Sequence, residues 1–171
     1  MMTTCHTRID TQIGELTLVT DGSALTGLYF PQHWYLPPAA ELGPEVDATS
    51  QQVFAQAGRQ LEEFFAGARQ TFDLPIATHG NAFAEQVWAL LNLIPYGQTT
   101  TYASLAEELG SRTLAQQVGQ AVGHNPISII IPCHRVVGAD GKLTGYAGGL
   151  QRKHFLLQLQ EPVGADTGRL F

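Results

Sequence analysis

A chain of 171 residues is long enough for one large domain or two small ones, each with its own hydrophobic core. A hydrophobic fraction of 44% and a charged fraction of 14% exclude an intrinsically disordered protein, and the net charge of −6 argues weakly against a nucleic-acid partner. No apolar run approaches the roughly 20 residues of a membrane helix. MMTTCHTRID does not have the form of a secretory signal, so we expect a cytoplasmic protein without a membrane partner.

The charges are unevenly distributed along the chain. Residues 1–80 carry three basic side chains against nine acidic ones, whereas residues 81–171 carry six of each. The segment 109–158 has one acidic residue, Asp140, and five basic ones: Arg112, Arg135, Lys142, Arg152 and Lys153. Such a basic patch is usually a solvated face, and it gains functional meaning only where a reactive residue lies within it.

Residues 1–78 are predicted to form a small α/β domain. IGELTLVT (13–20) and ALTGLYF (24–30) have the composition of strands, and DGS between them supplies turn residues, which together predict a β-hairpin. Residues 31–48 are rich in proline and polar residues and predict a loop.

A helix is predicted to follow this loop. Thr49 and Gln52 form a capping-box pattern at its start, and Gly67 marks its end. Its predicted inward positions are Val53, Phe54, Leu61, Phe64 and Phe65. TFDL (71–74) predicts one further strand.

PIATHGN (75–81) is the predicted linker, and we place the second domain at residues 79–171. FAEQVWALLNLI (83–94) has apolar residues at helical spacing, and Pro95 and Gly97 end that helix.

The next two helices are short. TYASLAEEL (101–109) is closed by Gly110, and Thr113 with Gln116 forms a second capping-box pattern at the start of the following helix. Two short helices joined by a tight turn fit a helix-turn-helix, whose second helix commonly enters a groove of DNA. The pattern alone is weak, because many helical proteins contain such pairs.

The remaining chain alternates extended and turn segments before a last helix. NPISIIIPCHRVVG (125–138) is predicted to be extended because of its two prolines. GADGK (138–142) predicts a turn, and GYAGGL (145–150) predicts a loop too glycine-rich for a helix. The last helix, 151–160, is predicted to turn inward Phe155, Leu156 and Leu159.

Neither cysteine belongs to a recognisable metal-binding pattern. Cys5 and Cys133 are predicted to be free thiols, as expected in the cytoplasm. Cys5 and His6 could be combined with His33 or His79, but the chain has no C-x-x-C and no H-x3-5-H spacing. We therefore predict no metal and no cofactor, with Cys5 a surface cysteine beside a surface histidine.

Cys133 allows two interpretations. A cysteine after an apolar run is more often a small buried hydrophobe than a nucleophile. However, His134 and Arg135 follow directly, and a nearby cation or histidine activates a thiol by lowering its pKa. Adjacent side chains on a strand point to opposite faces, so Cys133 and His134 would meet only through a kink, which Pro132 favours, or a bridging water. These residues alone leave both interpretations open.

Three segments resemble one protein family. IPYGQTTTYASLA, VGHNP and IPCHRVVGADGKLTGYAGGLQRK are similar to the O6-alkylguanine-DNA alkyltransferases, also called methylated-DNA–protein-cysteine methyltransferases. The resemblance extends over essentially the whole chain and is strongest over residues 83–157. It implies an α+β fold with an N-terminal ribonuclease-H-like α/β domain and a C-terminal winged-helix-like domain. It also implies single-turnover, suicide DNA repair, in which an alkyl group moves irreversibly from guanine O6 to a cysteine of the protein.

The resemblance also implies the residues that carry the chemistry. Cys133 matches the alkyl acceptor and His134 the water-linked base that generates its thiolate. Asn125 matches the hinge asparagine that ties the helix-turn-helix to the active-site loop, for which a helix C-cap is the alternative. Gln160 occupies the position of a glutamate that supports the histidine.

Further residues are implied to contact DNA or the flipped base. Tyr102 matches the tyrosine that promotes base flipping and contacts guanine. The implied DNA-binding residues are Tyr102, Ala103, Ser111, Gln116 and Arg135, and the implied pocket residues are Tyr102, Val136, Tyr146 and Ala147. The implied partner is double-stranded DNA carrying O6-alkylguanine, with O4-alkylthymine as a second lesion, bound by a monomer.

Two positions depart from the family pattern. Gln116 stands where the family has an arginine finger, and it brings no positive charge towards phosphates; a capping role is the alternative. Gln160 replaces the glutamate, and a neutral amide stabilises imidazolium less well than a carboxylate does. Either Glu161 reaches inward from the fraying end of the helix, or the thiol is less activated than is usual in the family.

Two other functions compete with repair. One is a lesion-binding protein with weak or no transfer activity, although relatives of that kind replace the cysteine that this chain keeps. The other is a winged-helix transcription regulator with an incidental cysteine, for which the sequence shows no dimerisation element.

Overall fold

The computed structural model describes residues 3–161. The chain forms two compact units. Of the described residues, the first unit comprises 3–78 together with Pro126–Ile130, and the second comprises His79–Asn125 and 131–161. The domain boundary predicted between residues 78 and 79 stays a prediction, and the compact units differ from it in the segment Pro126–Ile130.

The first unit is built on a three-stranded antiparallel sheet in the order β1-β2-β3. Its strands are β1 (Cys5–Thr11), β2 (Gly14–Thr20) and β3 (Leu25–Tyr29). The predicted hairpin corresponds to β2 and β3, whereas β1 was missed because its sequence, CHTRIDT, is mostly polar. The prediction of a surface Cys5 and His6 is wrong, since both are buried in β1, and both cysteines are free thiols.

The helix α1 (Gln52–Phe65) packs its apolar face against this sheet. The predicted capping box is wrong, because the Thr49 hydroxyl donates to Asp47 and the N-cap residue Gln51 makes no side-chain cap. The strand predicted at 71–74 is also absent. There the amide of Gln60 satisfies both backbone groups of Asp73, at 2.7 and 2.8 Å, so the backbone needs no strand partner.

The segment Pro126–Ile130 continues the first unit. The N–H of Leu28 donates to the carbonyl of Pro126 at 2.8 Å, and Leu28 forms a single parallel bridge with Ile127. Ile129 then adopts a φ of +71°, which turns the chain. The long extended segment predicted over 125–138 is therefore reduced to one bridge, a series of turns and a two-residue strand, Val136–Val137.

The second unit is mainly helical. Its elements are α2 (Ala82–Leu91), β4 (Thr100–Thr101), α3 (Tyr102–Glu108), α4 (Ala115–Gly123), β5 (Val136–Val137) and α5 (Leu150–Gln160). Side chains cap two of these helices, because Asn81 accepts from the N–H of Ala84 and Thr101 from that of Ser104. None of the described helices is long and apolar enough to cross a membrane.

The turn between α3 and α4 differs in detail from the prediction. Gly110 has a φ of +123° and ends α3, as expected of glycine at a helix terminus. Ser111, whose hydroxyl accepts from the N–H of Thr113, caps a short 3₁₀ turn, Arg112–Leu114, that leads into α4. The capping box predicted from Thr113 and Gln116 is wrong, so capping no longer competes as a role for Gln116.

The last helix turns a different face inward from the predicted one. Lys153, Leu156, Leu157 and Gln160 are buried, whereas Phe155 and Leu159 are only half-buried. The apolar pattern predicted the wrong face because two of the buried residues, Lys153 and Gln160, are polar.

Candidate active site

Cys133 lies in a 3₁₀ turn, Cys133–Arg135, that follows Pro132. The N–H of Arg135 donates to the Pro132 carbonyl at 3.0 Å, which closes the turn. Successive side chains of a 3₁₀ helix point about 120° apart. Cys133, His134 and Arg135 consequently diverge into the interior of the second unit, with 4%, 0% and 7% of their surface exposed.

A pair of short strands connects this turn to the helix-turn-helix region. β5 follows the turn directly and pairs in parallel with β4, with Thr100 opposite Val136 and Thr101 opposite Val137. β4 leads without a break into α3, whose first residue is Tyr102. The strand pair therefore fixes Tyr102 relative to Cys133 through the backbone.

The surroundings of Cys133 act on its ionisation in opposite directions. Burial raises the pKa of the thiol, whereas the hydrogen bond from Asn125, the positive charge of Lys153 and the hydrogen bond from Tyr146 each lower it. The Asn125 amide also donates to the carbonyl of Ile131 at 2.8 Å, which holds the chain just ahead of the turn. Burial is the largest of these effects, so the resting group is a thiol.

His134 is the buried partner of Gln160. Its Nε2 lies 2.9 Å from Oε1 of Gln160, while Nδ1 is buried and has no hydrogen-bond partner among the described residues. Burial lowers the pKa of His134 to about 3; the Gln160 hydrogen bond opposes this, and the charges of Arg135 and Lys153 add to it. The imidazole is therefore neutral at pH 7. Of the two alternatives for the histidine's partner, the geometry places Gln160, and not Glu161, against the ring.

Arg135 is buried within the second unit, and its contacts give no support to the predicted role in DNA binding. Its Nε donates to Oε1 of Gln160 at 2.8 Å, its Nη1 donates to the carbonyl of Ile94 at 2.7 Å, and the guanidinium lies over the ring of Tyr96. Burial lowers the pKa of Arg135 to about 10, so it remains charged at neutral pH.

Lys153 is a second buried cation that the sequence did not single out. The side chain is 1% exposed, and its Nζ donates to the carbonyl of Thr144 at 3.1 Å. Burial lowers the pKa of Lys153 to about 8, and interaction with Cys133 partly offsets this effect. A lysine within an apolar helix face was the available signal, because a fully buried lysine is rare unless it is paired. Two of the five residues of the predicted basic patch thus point inward, and the patch is not a solvated face.

Tyr102 bridges the helix-turn-helix region and the loop after β5. The ring lies beside Gly119 of α4, and the Thr144 hydroxyl donates to the Tyr102 hydroxyl at 3.2 Å. Burial raises the pKa of Tyr102, the Thr144 hydrogen bond lowers it, and Cys133 raises it. Tyr102 is therefore half-buried and within electrostatic range of the thiol.

The remaining predicted residues fall into two groups. Val136, Tyr146 and Ala147 are buried, as residues lining a pocket beside Cys133 would be. Ser111 and Gln116 are exposed, and Ala103 is half-buried on α3. No group of three or more metal-ligating His, Cys, Asp or Glu side chains occurs among residues 3–161.

Comparison with known proteins agrees with this arrangement. Residues 5–78 match the model described as 6-O-methylguanine DNA methyltransferase, ribonuclease-like domain, and residues 82–162 match the model of the DNA binding domain of the same proteins. The methylated-DNA–protein-cysteine methyltransferase of Mycobacterium bovis is 45% identical over 153 residues, which cover 90% of each chain. That of Haemophilus influenzae is 38% identical over 165 residues, covering 95% of this chain and 89% of the other.

A solved structure gives the same relationship in three dimensions. The Mycobacterium tuberculosis OGT in complex with DNA superposes with a TM-score of 0.82 at 42% identity, covering 91% of this chain and 92% of that chain. The chain belongs to the methylated-DNA–protein-cysteine methyltransferase family. The family predicted from the sequence motifs is thereby confirmed, as is the mixed α/β fold with an N-terminal sheet unit and a C-terminal helical unit.

The buried histidine of this methyltransferase makes its stability depend on pH. The pKa of His134 is about 3 in the folded protein and about 6.5 in the unfolded chain. The stability gained by keeping the imidazole neutral is complete above pH 6.5, and it is lost as the pH falls towards 3, because only the unfolded chain takes up the proton.

We therefore expect the unfolding free energy of the wild type to fall more steeply than that of His134→Gln between about pH 6 and pH 4.5. One proton corresponds to about 1.4 kcal/mol per pH unit. Urea unfolding at a series of pH values measures both slopes, and subtracting them removes the contribution of the acidic residues. Parallel slopes would show that His134 titrates normally in the folded state.

Proposed function

We propose that this protein repairs DNA by transferring an alkyl group from O6 of guanine irreversibly to its own Cys133. The main support for this proposal is the surroundings of the buried Cys133 thiol in a chain of this family. Its neighbours are a neutral histidine, a hydrogen-bonding asparagine and a buried lysine. A cysteine kept only for packing needs none of these polar neighbours.

The first step is removal of the thiol proton. Nε2 of His134 faces Gln160, so Nδ1 is the nitrogen that is available as a base, and a water molecule bound there links it to Cys133. The thiolate that forms is the nucleophile. Lys153 supplies positive charge to it, and Asn125 and Tyr146 supply hydrogen bonds.

The second step is the transfer itself. Sγ forms a bond to the alkyl carbon, the bond between that carbon and guanine O6 breaks, and the electron pair stays on the guanine, which takes up the proton that His134 removed from Cys133. Tyr102, whose half-buried hydroxyl accepts from Thr144, contacts the base. The product at Cys133 is a thioether, which has no proton to lose and is a poor leaving group, so each molecule acts once.

DNA is bound through the helices α3 and α4. The exposed Gln116 on α4 occupies the position from which a side chain fills the gap left by the flipped nucleotide, Ala103 lies on α3, and Ser111 caps the 3₁₀ turn between the two helices. The target base must leave the stack, because a thiol that is 4% exposed cannot reach it inside a duplex. In this proposal the first unit is ribonuclease-H-like and the second winged-helix-like, the protein acts as a monomer in the cytoplasm, and O4-alkylthymine is a second lesion that it repairs.

Neither alternative function is favoured by an observation. A lesion-binding protein has no use for a thiol with a histidine, an asparagine and a lysine around it. A transcription regulator would need a palindromic site and a dimer, and the family relationship argues against it.

Cys133 is expected to be the sole acceptor. Incubation with a duplex that contains O6-methylguanine should raise the protein mass by one methyl group, and peptide mapping should place that group on Cys133. Cys133→Ala should bind the duplex and gain no mass, whereas Cys5→Ala should react as the wild type does, because Cys5 lies in the sheet of the first unit. Methylation of Cys5 in the wild type would contradict this assignment.

Gln160→Glu is expected to accelerate transfer. A carboxylate at this position would stabilise imidazolium and offset the positive charges of Arg135 and Lys153, which lower the pKa of His134. A hydrogen bond to a charged group contributes about 1.5 to 3 kcal/mol, compared with about 1 kcal/mol for a neutral one, and the difference corresponds to about one order of magnitude in rate. Single-turnover kinetics and a thiol-alkylation titration should show faster transfer and a lower apparent pKa of Cys133.

Glu161→Gln is the matched control, because it removes a carboxylate from the adjacent position while the hydrogen bond between His134 and Gln160 is kept. We expect it to change little. If Glu161→Gln slowed transfer while Gln160→Glu did nothing, the partner of His134 would be Glu161.

Gln116→Arg is expected to tighten DNA binding. The substitution adds one positive charge at an exposed position of α4, so the logarithm of affinity should depend more steeply on the logarithm of salt concentration, by about one phosphate equivalent. Gln117→Arg, at the next exposed position, is the control for added charge in general. Equal effects of both substitutions would place Gln116 outside the DNA contact.

A further inference from the structure

The side-chain amide of Gln160 can face His134 in two chemically different orientations, whereas the two oxygens of a carboxylate are equivalent. A carboxylate offers an acceptor oxygen in either orientation, whereas an amide offers an acceptor at one end and a donor at the other. If Oε1 faces His134, the ring must donate from Nε2, and Nδ1 carries the free lone pair. If the NH₂ group faced His134, Nε2 would have to accept, and in a neutral ring Nδ1 would then carry the proton.

We propose that Arg135 is a positioning residue that selects the tautomer of His134 by fixing the orientation of the Gln160 amide. Nε of Arg135 lies 2.8 Å from the same oxygen that lies 2.9 Å from His134. A guanidinium has donors and no acceptor. Reversing the amide would therefore place two donors against each other in a fully buried site, which is strongly unfavourable.

The guanidinium is itself held firmly enough to impose this choice. Nη1 donates to the carbonyl of Ile94 at 2.7 Å, and the guanidinium carbon lies 5.7 Å from the centroid of the Tyr96 ring. The hydrogen bond to Ile94 orients Nε towards Gln160, the Tyr96 ring packs against the guanidinium, and neither contact involves the histidine. Arg135 is 7% exposed, so it acts through Gln160 and not on DNA.

The consequence for the reaction rests on the proposed function. His134 serves as the base only through Nδ1, because Nε2 is occupied by Gln160. The tautomer with a proton on Nδ1 has no lone pair directed away from Gln160, and a histidine held in the wrong tautomer loses most of its value as a base. Because residue 160 is a glutamine, His134 depends on Arg135 to keep Nδ1 unprotonated and able to accept a proton.

The test measures the tautomer directly, without DNA. In ¹⁵N-labelled protein, the imidazole nitrogens of His134 report by their NMR shifts which one carries the proton. The wild type should show a neutral ring protonated at Nε2. Arg135→Met, which keeps the length of the side chain and removes the donor, should populate the tautomer protonated at Nδ1. Tyr96→Leu, which removes the ring beneath the guanidinium and leaves Nε in place, should keep the wild-type tautomer.

The Gln160→Glu variant distinguishes loss of the amide orientation from general disruption of the site. In Gln160→Glu, both oxygens accept, so adding Arg135→Met should leave the ring protonated at Nε2. Proton on Nδ1 in the wild type, or an unchanged tautomer in Arg135→Met, overturns the proposal. The first of these outcomes is measurable even if Arg135→Met does not fold.

Transfer kinetics then distinguish this proposal from a purely electrostatic role. Removing the positive charge of Arg135 by itself would make His134 more basic and favour proton removal from Cys133. Loss of the correct tautomer predicts the opposite, a transfer rate about tenfold or more lower, at an unchanged half-saturating DNA concentration. Faster transfer in Arg135→Met overturns the proposal. A shifted tautomer with an unchanged rate would support the orientation by Arg135 and contradict the proposed role of His134 as the base.

Discussion

The burial of Cys133 is the constraint on which the rest of the site depends. A thiol that is 4% exposed loses solvation as an anion, and burial accordingly raises its pKa and keeps it protonated at rest. The same burial lowers the pKa of His134 to about 3, so the two groups rest as a neutral pair. A thiol kept neutral in this way is protected from incidental oxidation and alkylation, because thiolate is the reactive form. The remaining polar residues around it stabilise the charge that appears during the transfer.

The backbone near Cys133 explains how so many polar side chains reach one interior. A strand would send Cys133 and His134 to opposite faces of a sheet, whereas the 3₁₀ turn after Pro132 sends both into the core of the second unit. Asn125 fixes the start of this turn through the carbonyl of Ile131, and the pairing of β5 with β4 fixes its end and carries Tyr102 on the same framework. Residues separated in sequence by some 30 positions are thus positioned by main-chain contacts on both sides of the nucleophile.

The sequence correctly predicted those helices and turns whose structure depends on residues close together in the chain. The helices α2, α3 and α5 and the turn at Gly110 follow from periodicity and glycine, and the family motifs identified Cys133, His134 and Gln160 as candidates. The predictions that failed concern segments whose structure depends on contacts with residues distant in sequence. β1 is polar and is a strand only because β2 pairs along it, and residues 71–74 are not a strand because Gln60 satisfies their backbone. Arg135 and Lys153 belong to the interior for a similar reason, since their partners Gln160, Ile94 and Thr144 are all remote.

The positive and negative charges inside the site do not balance. Arg135 and Lys153 are buried and cationic, and none of the described aspartate or glutamate side chains is buried. A family glutamate at position 160 would neutralise one of these charges, but Gln160 does not. Uncompensated buried charges are costly, and an anion that forms within the site reduces that cost. Cys133 is the acidic group whose interaction with Lys153 raises the pKa of the lysine. The positive charge of Lys153 therefore stabilises the thiolate as well as making His134 a weaker base, whereas that of Arg135 weakens His134 without a matching effect on Cys133.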